Sequence, residues 1–196
     1  MSGFRRAHLM AIPLAFAVSS CGINSVPTRE EAVNAAWGNV EVEYQRRNDL
    51  IPGLVATVKG FAAQEKSVLV AVTEARAKAS SIQIKAEDLS NPEKMAQFEQ
   101  AQGQLGASLG RLLVTSERYP DLKSNQNFLT LQTELAGTEN QISIARRDYN
   151  AAVQDYNITI RTFPDMMAAK LIYGSKPKTP FKATSVGAEN APKVAF

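Results

Sequence analysis

The chain has 196 residues, 44% of them hydrophobic, with 22 Lys and Arg against 19 Asp and Glu, one Cys and one His. That length suits one domain with a sizeable core, a single thiol excludes an internal disulfide, and a near-neutral balance gives no electrostatic case for nucleic acid. The lone imidazole, His8, lies in a removable leader, so no His-based general base, Cys–His nucleophile pair or common zinc or haem ligand set is expected.

Residues 1–10, MSGFRRAHLM, are short and basic, residues 11–18, AIPLAFAV, are apolar, and Ser19 and Ser20 precede Cys21 and Gly22. A basic start, a short apolar run and small residues before a cut have the form of an export signal. The apolar run is too short to cross a bilayer, which takes about 20 residues. Val18-Ser19-Ser20-Cys21 resembles the lipobox of bacterial lipoproteins. The resemblance implies removal of residues 1–20 and acylation of Cys21 with chains such as palmitate, which hold the protein to a membrane. Gly22, where an Asp would stand for retention, implies the outer membrane, facing the periplasm. Loss of Arg5 and Arg6 leaves 20 basic against 19 acidic groups, so the sequence pI of 9.0 carries no weight.

Residues 21–28 read as a lipidated tether, with Thr28 as N-cap of the first helix and Glu30 and Glu31 in its first turn. A seam of alternating four and three spacing follows: Val33, Trp37, Val40, Tyr44, Arg47, Ile51, Leu54, Val58, Phe61, Glu65, Val68, Val72, Ala75 and Ala79. This is the pattern of helices that supercoil. It does not slip at Pro52, which removes a backbone donor and crowds the carbonyl of Asn48. One long kinked helix, or two nearly coaxial ones, is expected rather than a hairpin, with a reach of ~75 Å. Ser90 then caps a helix with Glu93 at capping-box spacing, on the seam Met95, Phe98, Gln102, Leu105, Leu109, Leu112, Ser116 and Tyr119. Ser124 caps the last, on the seam Phe128, Leu131, Leu135, Thr138, Ile142, Ala145, Tyr149, Ala152, Tyr156, Thr159 and Phe163. Short connections make neighbours antiparallel. The expected fold is all-α: an elongated antiparallel three- to four-helix bundle with coiled-coil-like heptad packing over 29–173. Residues 174–196, rich in Pro, Lys, Ser and Ala, read as a flexible tail.

Three blocks resemble the LemA family: Ala36-Trp37-Gly38-Asn39-Val40 with Tyr44 to Val55, then Thr57 to Ala62 with Val72 to Arg76, and Ser116 to Lys123 with Thr138-Glu139-Asn140, Ala145 to Asn150, Tyr156-Asn157 and Phe163-Pro164. The resemblance spans nearly the whole mature chain. It implies long antiparallel helical bundles, often with an N-terminal membrane anchor, and no established catalytic activity or cofactor. The chain departs from the family pattern in carrying a lipobox in place of a transmembrane helix, and Gly53 where an Asn is usual.

Charges on a helical seam are expensive to bury unless paired. Arg47 and Glu65 occupy such positions, and Arg46 and Asp49 add to a charged girdle beside Pro52. The last helix offers Asn150 and Asn157 and contributes Glu139, Asn140, Arg146 and Arg147 to that girdle. Together these eight are the candidate polar cluster, read first as a register-fixing network and second as a groove for a partner. No catalytic, cofactor-binding or metal-ligating set is expected. The expected function is a non-enzymatic scaffold or adaptor, lipid-anchored through Cys21, with a protein partner in the cell envelope. The alternative is a small-ligand or signal-sensing module with a pocket near the Pro52 kink, lined by Arg46 and Arg47; an enzyme ranks last.

Overall fold

A computed structural model describes residues 23–182. The leader and Cys21 lie outside them, as do residues 183–196. Four long helices carry the fold: α1 (Ser25–Phe61), α2 (Lys66–Ser81), α3 (Pro92–Ser116) and α5 (Gln126–Thr159). A 3₁₀ turn, Ala86–Ser90, precedes α3, and the short α4 (Pro120–Lys123) precedes α5. Helix α6 (Asp165–Ala168) runs into a π turn, Ala169–Tyr173, that Gly174 closes with a left-handed φ of 57°.

The helices run up, down, up and down. Arg29 meets Asp155 and Arg47 meets Glu139, so α1 and α5 are antiparallel. Arg76 reaches Asn48 across the α1–α2 hairpin, and Lys78 reaches Gln104 between α2 and α3. At ~1.5 Å per residue, the 37 residues of α1 extend over ~55 Å.

Three boundaries differ from expectation by cap chemistry. Helix α1 starts at Ser25, inside the expected tether, with Thr28 Oγ1 donating to the Asn24 carbonyl at 2.7 Å. Asn91, not Ser90, caps α3, its Oδ1 accepting from Glu93 N and Lys94 N at 3.0 and 3.2 Å. Likewise Asn125, not Ser124, caps α5 through Phe128 N at 3.1 Å.

The expected long helix is a hairpin instead. The chain turns at Ala62–Glu65, and α2 folds back on the second half of α1. Pro52 stays inside α1. The Asn48 carbonyl, which would have bonded the missing N–H of residue 52, accepts from Arg76 Nε at 2.9 Å. Replacing Arg76 with Leu should therefore cost about 1–3 kcal/mol, the cost of an unpaired buried carbonyl. Adding Pro52→Ala, which restores the helical donor, should recover much of that loss in the urea midpoint. A double variant no more stable than Arg76→Leu would show that this bond is not the cause.

Two apolar cores are stacked along the bundle. One holds Val33, Trp37, Tyr44, Phe98, Tyr149 and Tyr156; the other holds Ile51, Leu54, Leu105, Leu112 and Phe128. The polar side chains of Arg47 and Gln102 sit between them. Helix α2 has 16 residues against 37 in α1, so it covers only the second core. Over the first core its place is taken by residues 82–91 and by a strap, 175–182, that packs along α5. The first part of the expected flexible tail is thus built into the bundle.

Candidate functional site

The polar layer is built around Arg47, which is 3% exposed. Its Nη1 donates to Glu139 Oε1 at 2.9 Å, and its Nη2 donates to Gln102 Oε1 and, at 3.4 Å, to the Gln102 carbonyl. The guanidinium also lies 5.0 Å from the centre of the Tyr44 ring. Burial raises the Tyr44 hydroxyl above its ordinary pKa, while Arg146 and Arg47 oppose that shift. One cation thus joins α1, α3 and α5.

The eight expected residues do not form one cluster. Arg47 and Glu139 are paired, and Arg146 lines the same shallow cleft. Glu65 lies beyond the far core, where it accepts from Arg118 at 3.0 Å and Tyr119 at 2.7 Å. That bond raises the Tyr119 hydroxyl pKa, with burial adding to it. Arg46, Asp49, Asn140 and Arg147 are exposed, with Asp49 accepting from Gln45 at 2.8 Å. At the kink itself Arg76 occupies the carbonyl that Pro52 frees, and Arg46 is exposed to solvent.

A cleft of about 540 Å³ does open beside the first core, between α1, α3 and residues 79–86. Trp37 Nε1, Asn34 Oδ1 and Asn48 Oδ1 are buried among its lining residues without a protein hydrogen-bond partner.

The strap groove was not foreseen. Asn157 bonds both main-chain groups of Lys178: Oδ1 accepts from its N–H and Nδ2 donates to its carbonyl, each at 2.9 Å. One heptad away, Asn150 does the same to Phe181, at 2.8 and 3.1 Å. Tyr149 donates to the Thr179 carbonyl at 3.0 Å, and burial drives its hydroxyl pKa far up. Phe181 stacks on Trp37 with ring centres 5.8 Å apart. The available signal was two asparagines seven residues apart beside an apolar seam, and one aromatic, Phe181, between Tyr173 and Phe196.

The end of the bundle where residue 23 lies is apolar and open. Phe163 is 80% exposed, Leu171 76% and Ile172 60%, and they share one surface with Ile23 and Met167. Tyr173 Oη donates to the Ile23 carbonyl at 3.1 Å. Phe163 was expected to close the seam of the last helix; burial passes instead from Tyr149 to Val153, Tyr156 and Ile160, which leaves it outside.

Among the described residues no three His, Cys, Asp or Glu side chains are placed to hold a metal, and no helix is long and apolar enough to cross a membrane. The architecture is that of a long-helix bundle with a cross-linked polar layer. The chain belongs to the LemA family, whose model matches residues 36–196. It is similar to two magnetosome proteins of Paramagnetospirillum magneticum, MamQ 1 and MamQ 2, each 31% identical over 157 residues, 72% of this chain and 58% of theirs. The magnetosome protein MamQ of Magnetospirillum gryphiswaldense is 28% identical over the same length. The match thus spans little more than half of each of these curated relatives.

Proposed function

We propose that this LemA-family chain is a non-enzymatic, membrane-tethered adaptor of the cell envelope, held by acylated Cys21 at the outer membrane and facing the periplasm. The observation that carries this reading is the apolar end at Ile23. Phe163, Met167, Leu171 and Ile172 are too exposed and too contiguous for an isolated surface. Exposed Arg161, Lys170 and Lys176 lie in the same stretch of chain and suit anionic headgroups. Cys21 is two residues before Ile23, within ~7 Å along the chain, so its acyl chains would enter the bilayer where this surface meets it. The likeness to magnetosome proteins supports a place at a membrane, and the buried Arg47 layer supports a rigid body that holds partners at a distance from it.

Cys21→Ala is expected to move the protein from the membrane to the soluble envelope fraction. In that background, binding to anionic phospholipid vesicles should persist weakly and disappear with Leu171→Asp and Ile172→Asp. An unmodified Cys21 by mass spectrometry, or vesicle binding indifferent to the two aspartates, defeats the membrane part. Photo-crosslinking from exposed positions in living cells tests the adaptor part, which fails if no protein is captured reproducibly.

The cleft beside Trp37 favours a second reading, a small-ligand module. Its three unpartnered polar atoms would suit a ligand carrying both donors and acceptors. A thermal-shift screen with small amides and sugars should then raise the melting temperature in a way that Asn48→Leu abolishes.

A further inference from the structure

We propose that the groove holding residues 175–182 is a docking site for extended segments of partner proteins that carry a Lys and, three residues later, a Phe. The chain's own strap is its resident, exchangeable ligand. This rests on the adaptor reading and names the chemistry of the partner.

The groove reads main chain first. Asn157 and Asn150 each close a two-bond ring on one residue's own N–H and C=O, a contact that any extended segment can make. The spacing fits: seven helical residues rise ~10.5 Å, and three extended residues span ~10 Å. Every main-chain N–H from Lys178 to Lys182 is bonded, apart from Pro180, which has none. Thr179 N donates to the Leu89 carbonyl at 2.7 Å and Lys182 N to Glu99 at 3.0 Å.

Side chains then supply selectivity. Lys178 is 7% exposed; its ammonium meets Glu30 at 2.8 Å and lies 5.8 Å from the centre of the Tyr156 ring. Buried this deeply, it needs that carboxylate. Phe181 is 6% exposed, held against Trp37 and Tyr149, with the Arg146 guanidinium 4.5 Å from the centre of its ring. Pro177 and Pro180 preset the extended backbone and lower the ordering cost.

Several observations separate this arrangement from a fixed element of the core. All but two of the hydrogen bonds that hold the strap, those of Ser175 N to the Ala169 carbonyl and of Thr179 N to the Leu89 carbonyl, use a side chain of the bundle or of Lys178. An open cavity of about 650 Å³, lined by Gln154, Ile158 and Pro180 among others, runs alongside, leaving room for a longer ligand.

The test uses the full chain with a protease recognition sequence inserted between Ser175 and Lys176, cut after folding. A labelled synthetic peptide of residues 176–185 is then added and followed by fluorescence anisotropy. Saturable binding is expected, competed by the unlabelled peptide. Lys178→Ala or Phe181→Ala in the peptide should weaken it at least about tenfold. Asn150→Ala with Asn157→Ala in the protein should weaken all peptides alike. The proposal is overturned if the cut strap never exchanges, if its release unfolds the helices by circular dichroism, or if exchange yields only dimers in which one copy's strap fills another's groove. In cells, a photoreactive residue at Gln154 should capture the partner; a partner captured only from other faces overturns the groove and leaves the adaptor reading intact.

Discussion

Glu139→Gln is expected to destabilise the bundle by about 2–4 kcal/mol, more than removing the buried cation that Glu139 serves. The Arg47 side chain is only 4% exposed, whereas that of Glu139 is 43% exposed. Neutralising the carboxylate leaves a guanidinium in a desolvated layer, with Gln102 offering dipoles but no charge. Replacing Arg47 with Met and Gln102 with Leu removes the charge and its buried acceptor together, and Glu139 is already half in water. That double variant should cost under about 1.5 kcal/mol, in line with volume-conserving core changes. Urea midpoints at constant m-value decide the order. If Arg47→Met with Gln102→Leu is the more damaging, the layer contributes net stability and not pairing register alone.

Trp37→Ala is expected to cost about 3–5 kcal/mol, the range for deleting a buried aromatic. Trp37 is 4% exposed and packs edge-on at 5.4 Å against both Phe98 and Tyr149. Phe181→Ala removes a ring of similar burial but should cost less in global unfolding. As an exchangeable ligand the strap would open without the helices separating, and that local opening would limit the loss. Its signature is faster hydrogen exchange at amides 178, 179, 181 and 182, with the core amides of α5 unchanged. Equal losses from the two substitutions, without selective exchange in the strap, would mean that strap and helices unfold as one unit.

The first seam is legible in the sequence as far as Val58, because every position from Val33 at four and three spacing is buried. The hairpin after it leaves no mark. Residues 62–65, Ala-Ala-Gln-Glu, contain neither Gly nor Pro. Past the turn burial steps one residue off the expected seam, from Phe61 to Ala62 and from Val68 to Leu69, and rejoins it at Val72 and Ala79, so the four and three spacing still reads as one continuing helix. Heptad spacing reports which face of a helix is covered, and it is silent on whether the cover comes from the chain ahead or from the chain returning. Arg47 was legible as a buried charge in need of a partner. Its acceptors were less so, since Gln102 sits on another helix and looks like an ordinary seam glutamine. The strap was illegible for a different reason. Its composition lacks the apolar content that holds a segment down, and the groups that hold it are Asn150, Asn157 and Tyr149, encoded some 20–30 residues earlier.

The direction of the strap makes its hold depend on how it is pulled. It leaves Gly174 at the Ile23 end and runs against α5, meeting Asn157 first, then Asn150, then Arg146. Tension on Lys182 directed along the rod, away from the Ile23 end, loads these fastenings side by side, as in a sheared strip. Tension directed outward or back toward that end breaks them in succession, from Lys182 down to Lys178, at a fraction of the force. The same few bonds thus resist stretching along the long axis and yield to lateral pull.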